Sequence, residues 1–186
     1  MPMCRLYGKS RPRGRPYRRR ESPLVLKTDA YYRDLAADAL RQAGILEPPV
    51  DMRVVADTIG VPVRPVRLAG FFSGMLVSEE GMPVMVVNAT RDELHQRSTL
   101  AHMIGHVVIM LAEEGATYPR NVADHRPADV VGAELVLPEF MVADEARKWF
   151  NDYRYLARLF AVTEGEMMEK MKGLGLIKDR GIHWDY

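Results

Sequence analysis

Two histidines stand four residues apart in the stretch "TLAHMIGHVV", at His102 and His106. On an α-helix, residues i and i+4 lie one turn apart on one face, a separation at which two imidazoles can share a Zn²⁺ ion at about 2.0–2.1 Å each. The spacing permits a metal site but does not demand one, and two hydrogen-bonded core histidines are the competing reading. The surrounding residues bear on the choice. On so apolar a helix an imidazole costs several kcal/mol of desolvation unless it is hydrogen-bonded or metal-bound. A single cysteine, Cys4, excludes an intrachain disulfide and any cysteine-based zinc cluster, so a metal must find its ligands among His, Asp and Glu. Of the other histidines, His95 lies two turns before the pair and reads as solvent-facing, while His183 in "GIHWDY" reads as structural or exposed.

These side chains need a helix to carry them, and the pattern supplies one. Thr90 or Asp92 can cap a helix running through "RDELHQRSTLAHMIGHVVIMLAEE" to about Glu114, where Gly115 ends it. Leu94, Ala101, Ile104, Val108 and Leu111 mark one apolar stripe, with Ser98, His102 and His106 on an adjacent one. Upstream, Thr28 or Asp29 opens a helix with Leu35, Ala36, Ala39, Leu40 and Ala43 at helical spacing, stopped by Gly44. A short helix capped by Asp51 follows and leaves through Gly60. The runs "VPVRPVRL", "FFSGMLVSE" and "MPVMVVNAT" are β-rich and divided by turn residues, which predicts a small sheet, antiparallel at its last hairpin. Pro62 and Pro65 cannot donate ladder hydrogen bonds, so the first run belongs at an edge. Downstream, "ADHRPADVVGAELVLPEF" resumes a helical pattern as far as Pro138, where a new helix can begin with the proline in its first turn. Two short helices joined around Ala161–Thr163 close the chain in a shape like helix-turn-helix. Their Lys170 and Lys172 are set against Glu164, Glu166 and Glu169, a poor balance for phosphate binding. Met167, Met168 and Met171 read as core or partner surface.

Composition is that of a soluble globular protein, with 47% hydrophobic and 27% charged residues in 186. No apolar run approaches the roughly 18 residues that span a bilayer, and the basic N-terminal stretch is not followed by an apolar h-region. A cytoplasmic location is expected, with no membrane partner. The net charge of +1 hides an asymmetry, because eight of the 26 basic side chains fall within residues 1–20 without an acidic one. The remainder carries 18 basic against 25 acidic groups, a net of −7. Residues 1–27 therefore read as a disordered basic arm, rich in Gly and Pro, in which Arg13, Arg15, Arg18, Arg19 and Arg20 offer non-specific contact with nucleic-acid phosphates. A solvated tail is the plainer alternative. The expected body spans 28–150, and 151–186 form a C-terminal helical segment packed on it.

The chain resembles the ImmA/IrrE-type zinc metallopeptidases. Their short "V-d-l-e-x-l-A" helix is matched by "VDMRVVADTIGVPV", their sheet motifs "G-x-S-G" and "I-x-v-N" by "FFSGMLV" and "VMVVNA", and their "R-q-R-F-T-l-A-H-E-l-G-H" helix by "HQRSTLAHMIGHVV". The "E-x-x-A-n" segment corresponds to "HRPADVVGAELVLP", and the closing helical segment to "FAVTEGEMMEKMKGLGLI". The likeness runs from about residue 30 to 178. It implies an α+β protein of the minimal gluzincin fold, with a small three-stranded sheet packed on helices.

What the resemblance implies for the site is specific. The first two zinc ligands of that family fall on His102 and His106, and the third, a Glu, falls on His125. The general-base Glu falls on Met103, which has no proton chemistry to offer. Three neutral imidazoles still make a competent Zn²⁺ site. Peptide hydrolysis without the base is another matter, since general acid–base catalysis typically contributes about 10²–10⁴-fold. A substitute base would have to come from a nearby carboxylate such as Asp124, Asp129 or Glu134. Asn88 and Arg97 also match family positions, where both types are common for structural reasons. The family's activity implies action on a helix-turn-helix repressor, releasing genes of a mobile element or a stress response. With Met103 in place, impaired peptidase activity is one expectation, and a non-catalytic protein- or DNA-binding module on the same scaffold is the other.

Overall fold

A computed structural model describes residues 27–113 and 125–178. The basic-arm arginines Arg13, Arg15, Arg18, Arg19 and Arg20 lie outside the described residues, as do Asp124 and His183. Helix α1 spans Asp29–Gln42 and is N-capped by the Thr28 side chain, which accepts from the Tyr31 amide. Its end is closed by Gly44 at φ 66°, with Ile45 N–H donating back to the Leu40 carbonyl. Helix α2, Met52–Thr58, is capped by Asp51.

Three strands follow: β1 Val63–Val66, β2 Gly74–Glu79 and β3 Met82–Asn88. Glu80 and Gly81 link β2 to β3 with φ of 51° and 86°, the doubly left-handed turn that matches the twist of a tight hairpin. The sheet order is β1-β3-β2, with β2 antiparallel and β1 parallel to the central β3. Pro65 therefore sits on an edge strand, where its missing N–H is harmless.

Helix α3, Glu93–Ala112, starts from an Asp92 cap and packs between the sheet and helices α1, α2 and α4. Helix α4 covers Arg126–Val136, α5 Glu139–Lys148, α6 Tyr153–Phe160 and α7 Glu164–Gly173. Pro138 is the N-cap of α5 rather than a residue of its first turn. Thr163 and Glu166 form a reciprocal capping box that starts α7. Leu156, Phe160, Met167 and Met171 are buried in the same core as Leu40, Met85, Ile104 and Leu135, so the C-terminal helices are part of one α+β body. Among the described residues no helix is long and apolar enough to cross a membrane.

The apolar stripe expected on α3 is narrower at its ends and wider at its middle. Leu94 and Leu111 are exposed, whereas every residue from Leu100 to Val108 except His102 is buried. The cause is packing on several sides at once. Two glycines make the closest contact possible: a Cβ on Gly105 would sit 2.5 Å from the Ala128 carbonyl oxygen, and one on Gly132 only 3.1 Å from the His102 amide nitrogen. At this seam α3 and α4 meet backbone to backbone.

Candidate metal centre

That seam decides which side chains meet. His102 and His106 project one turn apart from α3, while His125 is the residue from which α4 departs, at its N-cap position without a capping hydrogen bond. His102 Nε2 lies 3.1 Å from His106 Nε2 and 3.1 Å from His125 Nδ1, and the latter two are 3.0 Å apart. Three ligands on a tetrahedral zinc at about 2.0–2.1 Å stand about 3.3 Å from each other, so this triangle has nearly the required size. His106 is buried, with His102 and His125 half-buried.

The donor chemistry agrees with the geometry. His102 Nδ1 lies 2.8 Å from a carboxylate oxygen of Asp129. A carboxylate only accepts, so Nδ1 carries the proton, and in the neutral ring Nε2 presents its lone pair to the triangle. Burial, together with the neighbouring His102 and His125, holds the pKa of His106 down at about 4, so this ring is neutral at physiological pH. Three imidazole nitrogens at mutual contact cannot satisfy one another with protons, because any single N–H···N link leaves the remaining edges opposed. A cation held by these three nitrogens would use a lone pair from each. The residues present fit a divalent metal such as zinc.

Met103, at 2% exposure, reaches the sheet. Its methyl carbon lies 3.4 Å from the point where a Cβ on Gly74 would be, and the Thr99 methyl is closer still at 2.8 Å. Gly74 thus lets β2 press onto α3, and Met103 fills the seam as core. Of the carboxylates considered as substitute bases, Asp124 lies outside the described residues and the other two are otherwise engaged. Glu134 is buried, accepts from the Glu139 amide at 2.6 Å and pairs with Lys170 at 2.6 Å. It ties α4 to α5 and α7. Asp129 sits at the Nδ1 end of His102, across the ring from the nitrogen triangle. Its partnership with His102 was the signal that sequence reading missed, although His125 and Asp129 are an i, i+4 pair on the sequence. His95 is exposed as expected, but its Nε2 also lies 2.6 Å from Ser73 Oγ, tying the start of β2 to α3.

Compared with known protein families, residues 56–172 match the IrrE N-terminal-like domain of the M78 peptidases. The chain belongs to this family. Its members are zinc metallopeptidases, and the histidine triangle of this IrrE-like protein is a group that could hold such a metal. A search among curated proteins finds no match. Two other residues that match family positions serve the scaffold. Asn88, fully buried, receives Leu68 N–H, Thr90 N–H and the Thr90 hydroxyl on Oδ1, and donates through Nδ2 to the Phe72 and Leu68 carbonyls. It organises the loop that leads into β2. Arg97 binds backbone carbonyls of α4, α6 and the approach to α2.

Proposed function

We propose that this chain is a metal-holding regulator of the IrrE-like family. It engages a helix-turn-helix transcriptional repressor along the edge of β2, and cleaves peptide bonds poorly or not at all. The observation that carries this reading is the contrast between neighbours on α3: His102 and His106 converge with His125, while Met103 between them is buried core. His102, His106 and His125 would hold zinc, which when bound supplies Lewis-acid polarisation and acidifies water. The protein's own residues then set the limit. A thioether at position 103 can neither take a proton from a nucleophile nor pass it to a leaving amine, and Glu134 and Asp129 are committed elsewhere.

The edge of β2 supports capture of a protein segment. β2 is an edge strand among the described residues, and Phe71, Phe72 and Met75 are exposed beside it. An extended segment can add to such an edge through backbone hydrogen bonds while apolar side chains choose the partner. DNA reading by α6 and α7 finds less support, because Lys170 is paired with Glu134 and Lys172 with Glu169. Non-specific nucleic-acid contact by the basic arm is a separate proposal that rests on charge alone. The target genes would belong to a mobile element or a stress response.

Zinc analysis of the protein and of His102→Ala tests the site, with equal zinc in both arguing against ligation. Incubation with a repressor encoded beside this gene tests the chemistry. Binding without cleavage is the expected result, with cleavage appearing in Met103→Glu. Efficient cleavage by the natural sequence would overturn the reading, and metal-independent binding would favour a purely non-catalytic module.

A further inference from the structure

Asp129 stands one turn beyond His125 on α4, and its carboxylate meets His102 on α3 at 2.8 Å. The Asp129 side chain is 65% exposed, and an exposed pair of this kind contributes little to stability. Its neighbour Arg126 pairs with Asp29, at 2.9 Å, so that guanidinium is engaged elsewhere. The position is nonetheless tightly fixed, because the Gly132–His102 backbone contact lies three residues further along α4. One helix therefore delivers both His125 to the nitrogen triangle and a carboxylate to the back of the ring that faces it.

We propose that Asp129 is a positioning residue for metal capture. It fixes His102 with the proton on Nδ1 and the lone pair on Nε2, and it supplies from behind the ring a negative charge that the three-imidazole set itself lacks. A ligating histidine whose second nitrogen donates to a carboxylate is oriented and made more basic, and losing such a partner typically weakens metal affinity about 10–100-fold. The carboxylate missing from this ligand set is in effect returned one shell outward, on the helix that carries His125. The inference rests on reading the three histidines as metal ligands.

The test uses the full chain, Asp129→Ala and Asp129→Asn. Zn²⁺ affinity is measured by competition with a chromophoric chelator, Co²⁺ is added as a visible-absorption probe, and nitrogen NMR of the metal-free protein reads the His102 tautomer. Expected are a loss of about 10–100-fold in Zn²⁺ affinity for Asp129→Ala and a smaller loss for the isosteric Asp129→Asn, with an altered Co²⁺ spectrum. The proton on His102 should also move from Nδ1 in a fraction of Asp129→Ala molecules, which ties the loss of affinity to the tautomer that Asp129 holds. Unchanged affinity and an unchanged tautomer in Asp129→Ala would overturn the proposal while leaving the metal site standing. If the natural protein and His102→Ala take up the same zinc, the metal reading fails and this inference fails with it.

Discussion

Helix α3 carries two polar clusters five residues apart, and they are finished to different degrees. Arg97 is a cation set among acceptors. Its guanidinium donates to the Phe160 carbonyl at 2.6 Å and Ala161 at 2.7 Å, and reaches Val50 at 3.3 Å and Val136 at 3.4 Å. Phe160, Ala161 and Val136 lie at the C-terminal ends of α6 and α4, where unpaired carbonyls and the helix dipole favour a positive charge. The cluster is complete without any further component. At His102, His106 and His125 the opposite holds, since three nitrogens of one kind face each other at 3.0–3.1 Å. Both clusters are rich in polar atoms, so burial and polarity do not separate structure from function here. What separates them is whether the donors and acceptors add up.

The sharpest way to break this comparison is to remove the complete cluster. Arg97→Ala leaves several carbonyls between α3, α4 and α6 without a donor, and each such group costs about 1–3 kcal/mol. Destabilisation of at least about 3 kcal/mol is expected in urea unfolding, with a metal affinity close to natural in whatever protein remains folded. A mild loss of stability would mean that water readily replaces the guanidinium, and Arg97 would not be the strut described. The next effect comes from completing the other cluster. At a free Zn²⁺ concentration of about a hundred times Kd, the natural protein should gain about 2.7 kcal/mol, and His102→Ala should gain almost none. Equal gains would place the metal elsewhere.

The sequence made much of this visible and hid a specific part. The caps at Thr28, Asp51 and Asp92, the hairpin at Glu80-Gly81 and the edge position of Pro65 are local signals, and local signals survive without knowledge of the fold. The i, i+4 pair His102 and His106 was legible for the same reason. His125 reached the site only through the family resemblance, because its contact spans 19 residues and depends on the Gly105 and Gly132 seam. Leu94 and Leu111 misled because helical periodicity reports a single buried face. Helix α3 is enclosed on several sides at its centre and bare at its ends. The role of Asp129 was hidden too, since as a bare carboxylate near the site it could equally have served as a base. Only the side of the imidazole it occupies tells the two roles apart.

The smallest effect is also the most direct reading of the unfinished cluster. In the folded, metal-free protein burial and the two neighbouring imidazoles hold His106 at a pKa of about 4, against about 6.5 for an unfolded histidine. A depressed folded-state value means that between those limits the unfolded chain binds a proton the folded chain refuses. Stability therefore falls as pH drops from about 6.5 toward 4, by up to about 1.4 kcal/mol per pH unit, and this contribution levels off below the folded value. Subtracting the unfolding free energies of His106→Ala from those of the natural protein, both with chelator present, isolates this term from the carboxylates that titrate in the same range. The difference should slope in that window. Zinc should steepen the dependence in the natural protein alone, because protons and metal compete for the same lone pairs. A flat difference would mean that His106 already shares a proton within the cluster, as Arg97 shares its own with the carbonyls, and the contrast between the two ends of α3 would disappear.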